Sequence, residues 1–240
     1  MYYSVKHKEA LLNLMYAVNE NKGAALLTGD IGCGKTLLAR ALISRLEPEE
    51  FEIAYVTNPR LEEDDFIHEI LYQFGREVKS DRRIDMLHTL NEFLYLNAED
   101  GRKSVLIIDE AQLIKNEVIL EEIRLLLNFQ LNDRFLLTLI LIGQPELTRQ
   151  LKKIPQLDQR IGIRFHVEHL SCEDTRKYIE FRIKHGGCDR QVFTERAVER
   201  IFKYSEGIPR KINTICDLCL VMGVARNIEM IDEDVVRELV

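Results

Sequence analysis

The stretch Gly29-Asp30-Ile31-Gly32-Cys33-Gly34-Lys35-Thr36 decides the fold. It matches the pattern G-x-x-x-x-G-K-[ST] in full, and it lies between the apolar run 24–28 and the amphipathic run 35–46. Glycines let the backbone curl until several N–H groups point at one phosphate group, and a helix N-terminus attracts the same anion. The stretch therefore predicts a phosphate-binding loop between a strand and a helix. A chance glycine-rich turn is the alternative, and the flanking strand and helix disfavour it.

Such a loop assigns roles to its last two residues. Lys35 would reach the β- and γ-phosphates of ATP, and the Thr36 hydroxyl would bind Mg²⁺. The other residues expected to contact the nucleotide are Gly29, Asp30, Ile31, Gly32, Cys33, Gly34 and, on the first helical turn, Leu37. ATP and Mg²⁺ are thus the predicted cofactors.

Periodicity predicts an α/β fold. The candidate strands are 24–28, 53–57, 104–109, 135–143 and 163–167, and the helical stretches between them include 35–46, 62–74, 81–97 and 110–131. Several of the strands are apolar on both faces, as expected for strands buried in a parallel sheet. Strand and helix in alternation favour helices packed around a mostly parallel sheet.

The strand signal stops at Ser171, which with the acids after it is typical of a helix start. We expect this helix to end at Gly186, and others to cover 194–205, to begin at Pro209 and to cover 232–240. The sequence therefore predicts an α/β nucleotide-binding domain over residues 1–169 and a small helical domain over residues 170–240.

Two acids follow the apolar run 105–108. An acid at the carboxyl end of a buried parallel strand faces the crevice where ligands bind. Asp109 would hold Mg²⁺ through water, and Glu110 would polarise the water that attacks the γ-phosphate. The alternative is an ordinary helix N-terminus, where acids are also favoured. Together with the phosphate loop, the pair indicates hydrolysis.

Polar side chains also leave two other strands. Gln144 follows the most apolar run of the chain and would sense the γ-phosphate or position the water; a plain turn residue before Pro145 is the alternative. Asn58, after the second strand, would bind Glu110 and hold it inactive until a partner binds. A cap or turn asparagine explains Asn58 equally well.

Composition limits the other possibilities. The 240 residues carry a net charge of −7, which gives no support for broad nucleic-acid binding, although local basic patches remain open to DNA. The longest apolar run, 135–143, is far below the roughly 20 residues that span a bilayer, so we expect no direct membrane insertion. Five cysteines favour reduced thiols and a cytoplasmic location. The pair Cys216 and Cys219 lies in an apolar helical run, which favours buried core cysteines over a zinc site.

The motifs IIDEAQ (107–112), IGQPEL (142–147), LDQR (157–160) and EGIPR (206–210), together with the loop, resemble AAA+ ATPases of the ExeA/GspA type. NPRL (58–61) is similar to the segment after their second strand, and the resemblance covers nearly the whole chain. These are bacterial ATPases associated with general secretion. The resemblance implies a three-layer sandwich with a five-stranded parallel sheet, followed by an all-α lid. It also implies a nucleotide-dependent homo-oligomer, as a ring or filament, and a protein partner that could recruit the chain to the inner membrane.

The same resemblance assigns further residues. Arg160 matches an arginine finger that reaches ATP on a neighbouring subunit, with Arg164 as the alternative finger and a surface salt bridge as the alternative explanation. Arg210 matches the second sensor at the start of a lid helix; a helix-start arginine is the other explanation. Adenine would lie near the N-terminal segment, where the candidates are Tyr3, Val5 and His7, although a packed N-terminal helix would explain the same residues.

Related AAA+ proteins of transposition, of the MuB and TniB kind, bind DNA as ATP-dependent filaments. The secretion ATPases usually continue into a membrane span and a cell-wall-binding region, whereas this sequence stops after the lid. The basic residues that would contact DNA are Lys152, Lys153, Arg176, Lys177, Arg182 and Lys184. A solvated basic face is the commoner explanation of such residues. A secretion or envelope ATPase and a DNA-binding transposition regulator are therefore both open, while Asp109 and Glu110 disfavour a non-hydrolysing nucleotide switch.

Overall fold

The computed structural model describes residues 2–78, 80, 82–131 and 134–240. The chain divides into a sheet unit, Glu9–Gly29 with Lys35–Val167, and a helical unit, which contains the residues as far as Lys8, Asp30–Gly34 and Glu168–Val240. The predicted division into domains at 1–169 and 170–240 stays a prediction.

The sheet unit is built on five parallel strands in the order β2-β3-β4-β1-β5. The strands are β1 Ala24–Gly29, β2 Phe51–Val56, β3 Lys103–Ile108, β4 Leu137–Gly143 and β5 Ile161–Val167. β1 and β4 are buried along their whole length, which explains why both strands are mostly apolar on both faces. The predicted five-stranded parallel sheet is confirmed. Because β3 and β4 are neighbours, the residues that follow them meet at one edge of the sheet.

Helices precede and connect these strands. They are α1 Val5–Asn19, which begins before the sheet unit, α2 Lys35–Ile43, α3 Glu63–Gln73, α4 Arg83–Glu99, α5 Glu117–Leu126, α6 Glu146–Leu151 and α7 Pro155–Arg160. The core contains Phe66 and Ile67 from α3 and Leu90 and Leu94 from α4, all fully buried. The predicted helix at 81–97 corresponds to α4; Asp81 lies outside the described residues.

The predicted helix over 110–131 is wrong at its start, and the helix that forms there also ends earlier, at Leu126. Glu110 has φ 51° and ψ 34°, in the left-handed region, and Ala111–Leu113 forms only a 3-10 turn. A left-handed non-glycine residue interrupts helical hydrogen bonding, and such strain is held only by strong surroundings. The α-helix begins later, at α5, where the Asn116 side chain accepts a hydrogen bond from Val118 N at 3.0 Å. Glu110 is therefore not the first-turn acid of an α-helix.

The helical unit contains α8 Cys172–His185, α9 Glu195–Ser205, α10 Pro209–Arg226 and α11 Glu233–Leu239. Its predicted helix starts are confirmed. Side chains of Ser171, Thr194 and Asp232 accept hydrogen bonds from the first turns of α8, α9 and α11, which satisfies free helix donors. Pro209 occupies the first turn of α10, where its missing N–H costs no hydrogen bond.

Cys216 and Cys219 lie in the hydrophobic core of the helical unit, as predicted. Burial, the largest cause, raises the pKa of Cys216 to about 12, and burial raises the pKa of Cys219 to about 11. Thiols with such pKa values stay protonated at neutral pH and are poor nucleophiles and poor metal ligands. Within the described ranges, none of the helices has the length and apolar character needed to cross a membrane.

Candidate functional site

The two ends of the phosphate loop belong to the sheet unit. Gly29 ends β1 and Lys35 begins α2, and the Lys35 ammonium donates a hydrogen bond to the Gly29 carbonyl at 2.9 Å. A side chain at position 29 would place its Cβ 2.9 Å from the Val167 carbonyl oxygen, so the close approach of β5 requires glycine there. Lys35 is 5% exposed, so its charged side chain is buried.

The centre of the loop, Asp30–Gly34, belongs to the helical unit. Here the His7 ring contacts the Cys33 carbonyl through Nε2 at 3.0 Å and the Ser4 hydroxyl through Nδ1 at 2.7 Å. A carbonyl only accepts, so Nε2 carries the proton, and Nδ1 accepts from Ser4. His7, a candidate for adenine binding, thus uses both ring nitrogens to hold the loop. Tyr3 lies just before α1 and stays a candidate adenine contact.

Arg210 lies against the loop centre within the same unit. A Cβ at Gly32 would be 2.7 Å from the Arg210 Cβ and 3.2 Å from Ile208 Cγ2, and Gly32 has φ 88°. Position 32 therefore requires glycine for space and for backbone conformation. In the part of the chain that the structure describes, the exposed Arg210 side chain makes no hydrogen bond or ion pair. Its position beside the loop is compatible with a phosphate contact.

Asp109 receives three hydrogen bonds at the end of β3. Its Oδ2 accepts from the Thr36 hydroxyl at 2.7 Å and from the Tyr55 hydroxyl at 3.0 Å, and its Oδ1 accepts from Glu110 N at 2.8 Å. Burial raises the pKa of Tyr55, and the Asp109 carboxylate raises it further, so Tyr55 stays a donor at all ordinary pH values. The two residues predicted to bind Mg²⁺ are thus in direct contact.

The donor set here suits Mg²⁺. Thr36 and Asp109 offer a hydroxyl and a carboxylate oxygen, and Mg²⁺ is usually held by one or two protein oxygens, substrate phosphates and water. No group of three or more His, Cys, Asp or Glu side chains that could hold a metal occurs among the described residues. With Thr36 and Asp109 as its protein ligands, Mg²⁺ would take its other ligands from phosphate oxygens and water.

The Glu110 carboxylate accepts a hydrogen bond from the Gln112 side chain, a contact that the sequence did not predict. Gln112 Nε2 donates to Glu110 Oε2 at 2.6 Å, and Gln112 Oε1 accepts from Gln144 N at 3.0 Å. The Gln112 carbonyl accepts from Gln150 Nε2 at 3.0 Å. The signal in the sequence was a glutamine two residues after the acid, in a turn between apolar segments. Gln112 is 9% exposed, and a buried amide must find such partners.

Asn58 does not contact Glu110. It is exposed on the turn after β2 and makes no hydrogen bond to Glu110, so the predicted contact is absent between these two described residues. Gln144 follows β4 as predicted, and its backbone joins the network of Glu110 through Gln112. The structure therefore brings the turns after β3 and β4 together and leaves Asn58, in the turn after β2, away from Glu110.

The two candidate arginine fingers have different partners. Arg160 ends α7, and its guanidinium donates to the Leu127 carbonyl and to the Asn128 side-chain oxygen, both at 2.6 Å. Arg164 forms an ion pair with Asp158 at 2.9 Å. A surface salt bridge was the alternative explanation for either arginine. Arg164 has one, whereas the Arg160 guanidinium is bound by neutral acceptors.

Two of the four basic residues of α8 form ion pairs with acids. Lys177 pairs with Glu173 at 2.6 Å, and Arg176 pairs with Glu195 at 3.6 Å. Paired charges of this kind favour a solvated helix face over a phosphate-binding surface. Lys152 and Lys153 are exposed after α6.

Comparison with known proteins agrees with this geometry. The model of the AAA domain family matches residues 18–151. General secretion pathway protein A of Aeromonas hydrophila is 41% identical over 229 residues, which cover 94% of this chain and 42% of that protein. The chain thus spans less than half the length of that relative.

Solved structures show the same fold. The Aeropyrum pernix ORC2 protein, in its ADPNP–ADP complexes, has a TM-score of 0.68 and 21% identity over 96% of this chain and 65% of its own. The Thermotoga maritima RuvB Holliday junction branch migration motor has a TM-score of 0.63 and 21% identity over 96% of this chain and 67% of its own. The chain belongs to the AAA domain family, as an AAA-type ATPase related to general secretion pathway protein A.

Proposed function

We propose that this chain binds ATP with Mg²⁺ on the loop from Gly29 to Thr36 and hydrolyses it. The contact between the Thr36 hydroxyl and the Asp109 carboxylate, at 2.7 Å, carries the proposal. This contact joins the end of the loop to Asp109, the acid that follows β3. The next residue, Glu110, is a second acid and lies on a left-handed turn. Mg²⁺ would neutralise phosphate charge and orient the γ-phosphate.

The protein groups divide the chemistry among them. Lys35 would turn from the Gly29 carbonyl to the β- and γ-phosphate oxygens and offset their developing charge. Glu110 would accept a hydrogen bond from the attacking water and increase its nucleophilicity, which for general bases contributes about 10² to 10⁴ in rate. Gln144 would contact the γ-phosphate, the Arg210 guanidinium of the lid would contact the phosphates, and Tyr3 would contact adenine.

Self-assembly would complete the site. The Arg160 guanidinium is already fixed at both terminal nitrogens by Leu127 and Asn128, so little side-chain entropy would be lost on contact with a γ-phosphate of a neighbouring subunit. Arginine fingers supply on the order of 10³ to 10⁵ in rate. A ring or filament of this chain would then hydrolyse ATP faster than the isolated subunit.

The partner of such an assembly would belong to a secretion or envelope system. The 41% identity to general secretion pathway protein A supports this proposal, and free cysteines are compatible with a cytoplasmic location from which a partner would recruit the chain to the inner membrane. The second candidate, an ATP-dependent DNA-binding role, rests on the exposed Lys152 and Lys153.

The test is the ATPase rate per subunit as a function of protein concentration, with and without double-stranded DNA. We expect the rate to rise with concentration and to be indifferent to DNA. Arg160→Ala should abolish the rise and leave ATP binding intact, whereas the control Arg164→Ala should keep the rise. An Arg160→Ala variant with the wild-type concentration dependence would remove Arg160 as the finger. Stimulation by DNA that disappears in moderate salt would favour the DNA-binding role.

A further inference from the structure

Gln112 is a buried amide in which both side-chain polar atoms have partners. Its Oε1 accepts from Gln144 N at 3.0 Å and its Nε2 donates to Glu110 Oε2 at 2.6 Å. A third bond, from Gln150 Nε2 to the Gln112 carbonyl at 3.0 Å, fixes the main chain of the same residue to α6. The side chain thus spans from the turn after β3 to the turn after β4.

Chemistry fixes the orientation of this amide. The backbone N–H of Gln144 only donates, so it must face the oxygen of the Gln112 amide. The nitrogen of the amide is then the atom that faces Glu110, whose carboxylate only accepts when it is ionised. Reversing the amide would oppose two donors at Gln144 and two acceptors at Glu110. The bond to Glu110 therefore follows from the bond to Gln144.

The Gln112 amide is closely packed on the side of β4. A Cβ at Gly143 would lie 2.6 Å from Gln112 Oε1, so the chain at the end of β4 approaches the amide as closely as glycine allows. Glu110 itself has φ 51°, a strained conformation that needs support from its neighbours. The bond from Gln112 holds one carboxylate oxygen of Glu110 and leaves Oε1 able to accept a hydrogen bond from water.

We propose that Gln112 is the positioning residue of Glu110, and that it transmits the state of Gln144 to this acid. The inference rests on the proposed function, in which Glu110 polarises the attacking water and Gln144 contacts the γ-phosphate. A shift of the Gln144 backbone on γ-phosphate binding moves the acceptor atom of Gln112, and the Gln112 donor then carries the Glu110 carboxylate with it. The amide of Gln112 thus makes the contact with Glu110 that the sequence predicted for Asn58, but it supports the acid in catalysis and does not hold it inactive.

Two variants of position 112 test this role. Gln112→Met keeps the length of the side chain and removes both hydrogen bonds, so we expect kcat to fall by about tenfold or more with KM for ATP within about twofold. Gln112→Glu keeps an oxygen for Gln144 N but places a second carboxylate against Glu110. The two carboxylates would share a proton up to a higher pH, and the acidic limb of the pH profile of kcat should shift upward.

Gln73 provides the matched control. It donates to the Glu69 carboxylate at 2.8 Å on α3, so Gln73→Met and Gln73→Glu make the same chemical changes away from the acids of β3. Both controls should keep the wild-type kcat and pH profile. Nucleotide binding and thermal unfolding of each variant would show whether it folds; if Gln112→Met does not fold, the pH profile of Gln112→Glu decides.

The outcomes separate this inference from the proposed function. A wild-type protein that binds ATP without hydrolysing it would contradict the proposed function. A wild-type protein that hydrolyses ATP, with Gln112 variants that keep its kcat and its pH profile, would overturn the role of Gln112 alone. A lower kcat in Gln112→Met together with an upward shift of the acidic limb in Gln112→Glu is the result we expect.

Discussion

The turns after β2 and β3 begin side by side, with Val56 paired to Ile108, yet they differ in every later contact. After β3, Asp109 and Glu110 are both hydrogen-bonded by neighbouring strand ends or by the turn itself. After β2, Asn58 is exposed and has no hydrogen bond to any residue that the structure describes. The difference follows from strand order, since β2 lies at the edge of the sheet and β3 has β4 as a second neighbour.

An inner strand can thus share its final polar residues with two neighbours, and an edge strand with one. The left-handed Glu110 adds to this difference, because it turns the chain so that Gln112 reaches the end of β4. Functional side chains accordingly concentrate at the end of β3. Three substitutions test whether this contrast holds.

The largest effect is expected from Glu110→Gln, which keeps the shape of the side chain but removes the charge that polarises water. Turnover should fall by about 10² to 10³, while ATP binding, measured with a fluorescent analogue, stays near the wild-type affinity. Turnover within about twofold of the wild type would show that another group activates the water.

An intermediate effect is expected from Gly143→Ala, which disturbs the same turn from the side of β4. The added Cβ would lie 2.6 Å from Gln112 Oε1 and 2.8 Å from Leu147 Cδ2. We expect kcat to fall by about tenfold and the free energy of unfolding to decrease by about 1–3 kcal/mol, since overpacking a closed site forces its neighbours to shift.

Gly162→Ala in β5 is its control, because among the described residues a Cβ there would meet only the Lys22 carbonyl, at 4.0 Å. Its kcat should match the wild type. Equal losses of kcat in both variants, or a normal kcat in Gly143→Ala, would show that the end of β4 does not contribute to hydrolysis.

The smallest effect is expected from Asn58→Ala. An exposed side chain without hydrogen bonds contributes little, so kcat and stability should stay within about twofold and about 0.5 kcal/mol of the wild type. A tenfold change of kcat in either direction would restore Asn58 as the switch of Glu110 and would weaken the contrast between the two turns.

Local patterns were enough to predict most of the fold. The strands of the sheet, the cap at Ser171 and the first-turn proline at Pro209 all follow from residue type and periodicity over a few positions. The contact between Thr36 and Asp109 was predictable as well, because a phosphate loop and an acid after a parallel strand meet at the same edge of a sheet.

Non-local features were not predictable. Nothing in the residues near Asn58 shows that β2 is an edge strand, and nothing near Gln112 shows that the backbone of Gln144 lies 3.0 Å away. The left-handed conformation of Glu110 is equally invisible, because glutamate has no preference for it. His7 was predicted to contact adenine, and its contact with the Cys33 carbonyl was not predictable, since folding alone brings the two residues together.

The most direct test of the central claim is single-turnover hydrolysis, with protein in excess over radiolabelled ATP, in Mg²⁺ and in EDTA. If the acids of β3 act on nucleotide bound at the loop, bound ATP should be converted to ADP in Mg²⁺ and remain intact in EDTA. Bound ATP that stays intact in Mg²⁺ throughout the experiment, at concentrations that permit assembly, would contradict the account.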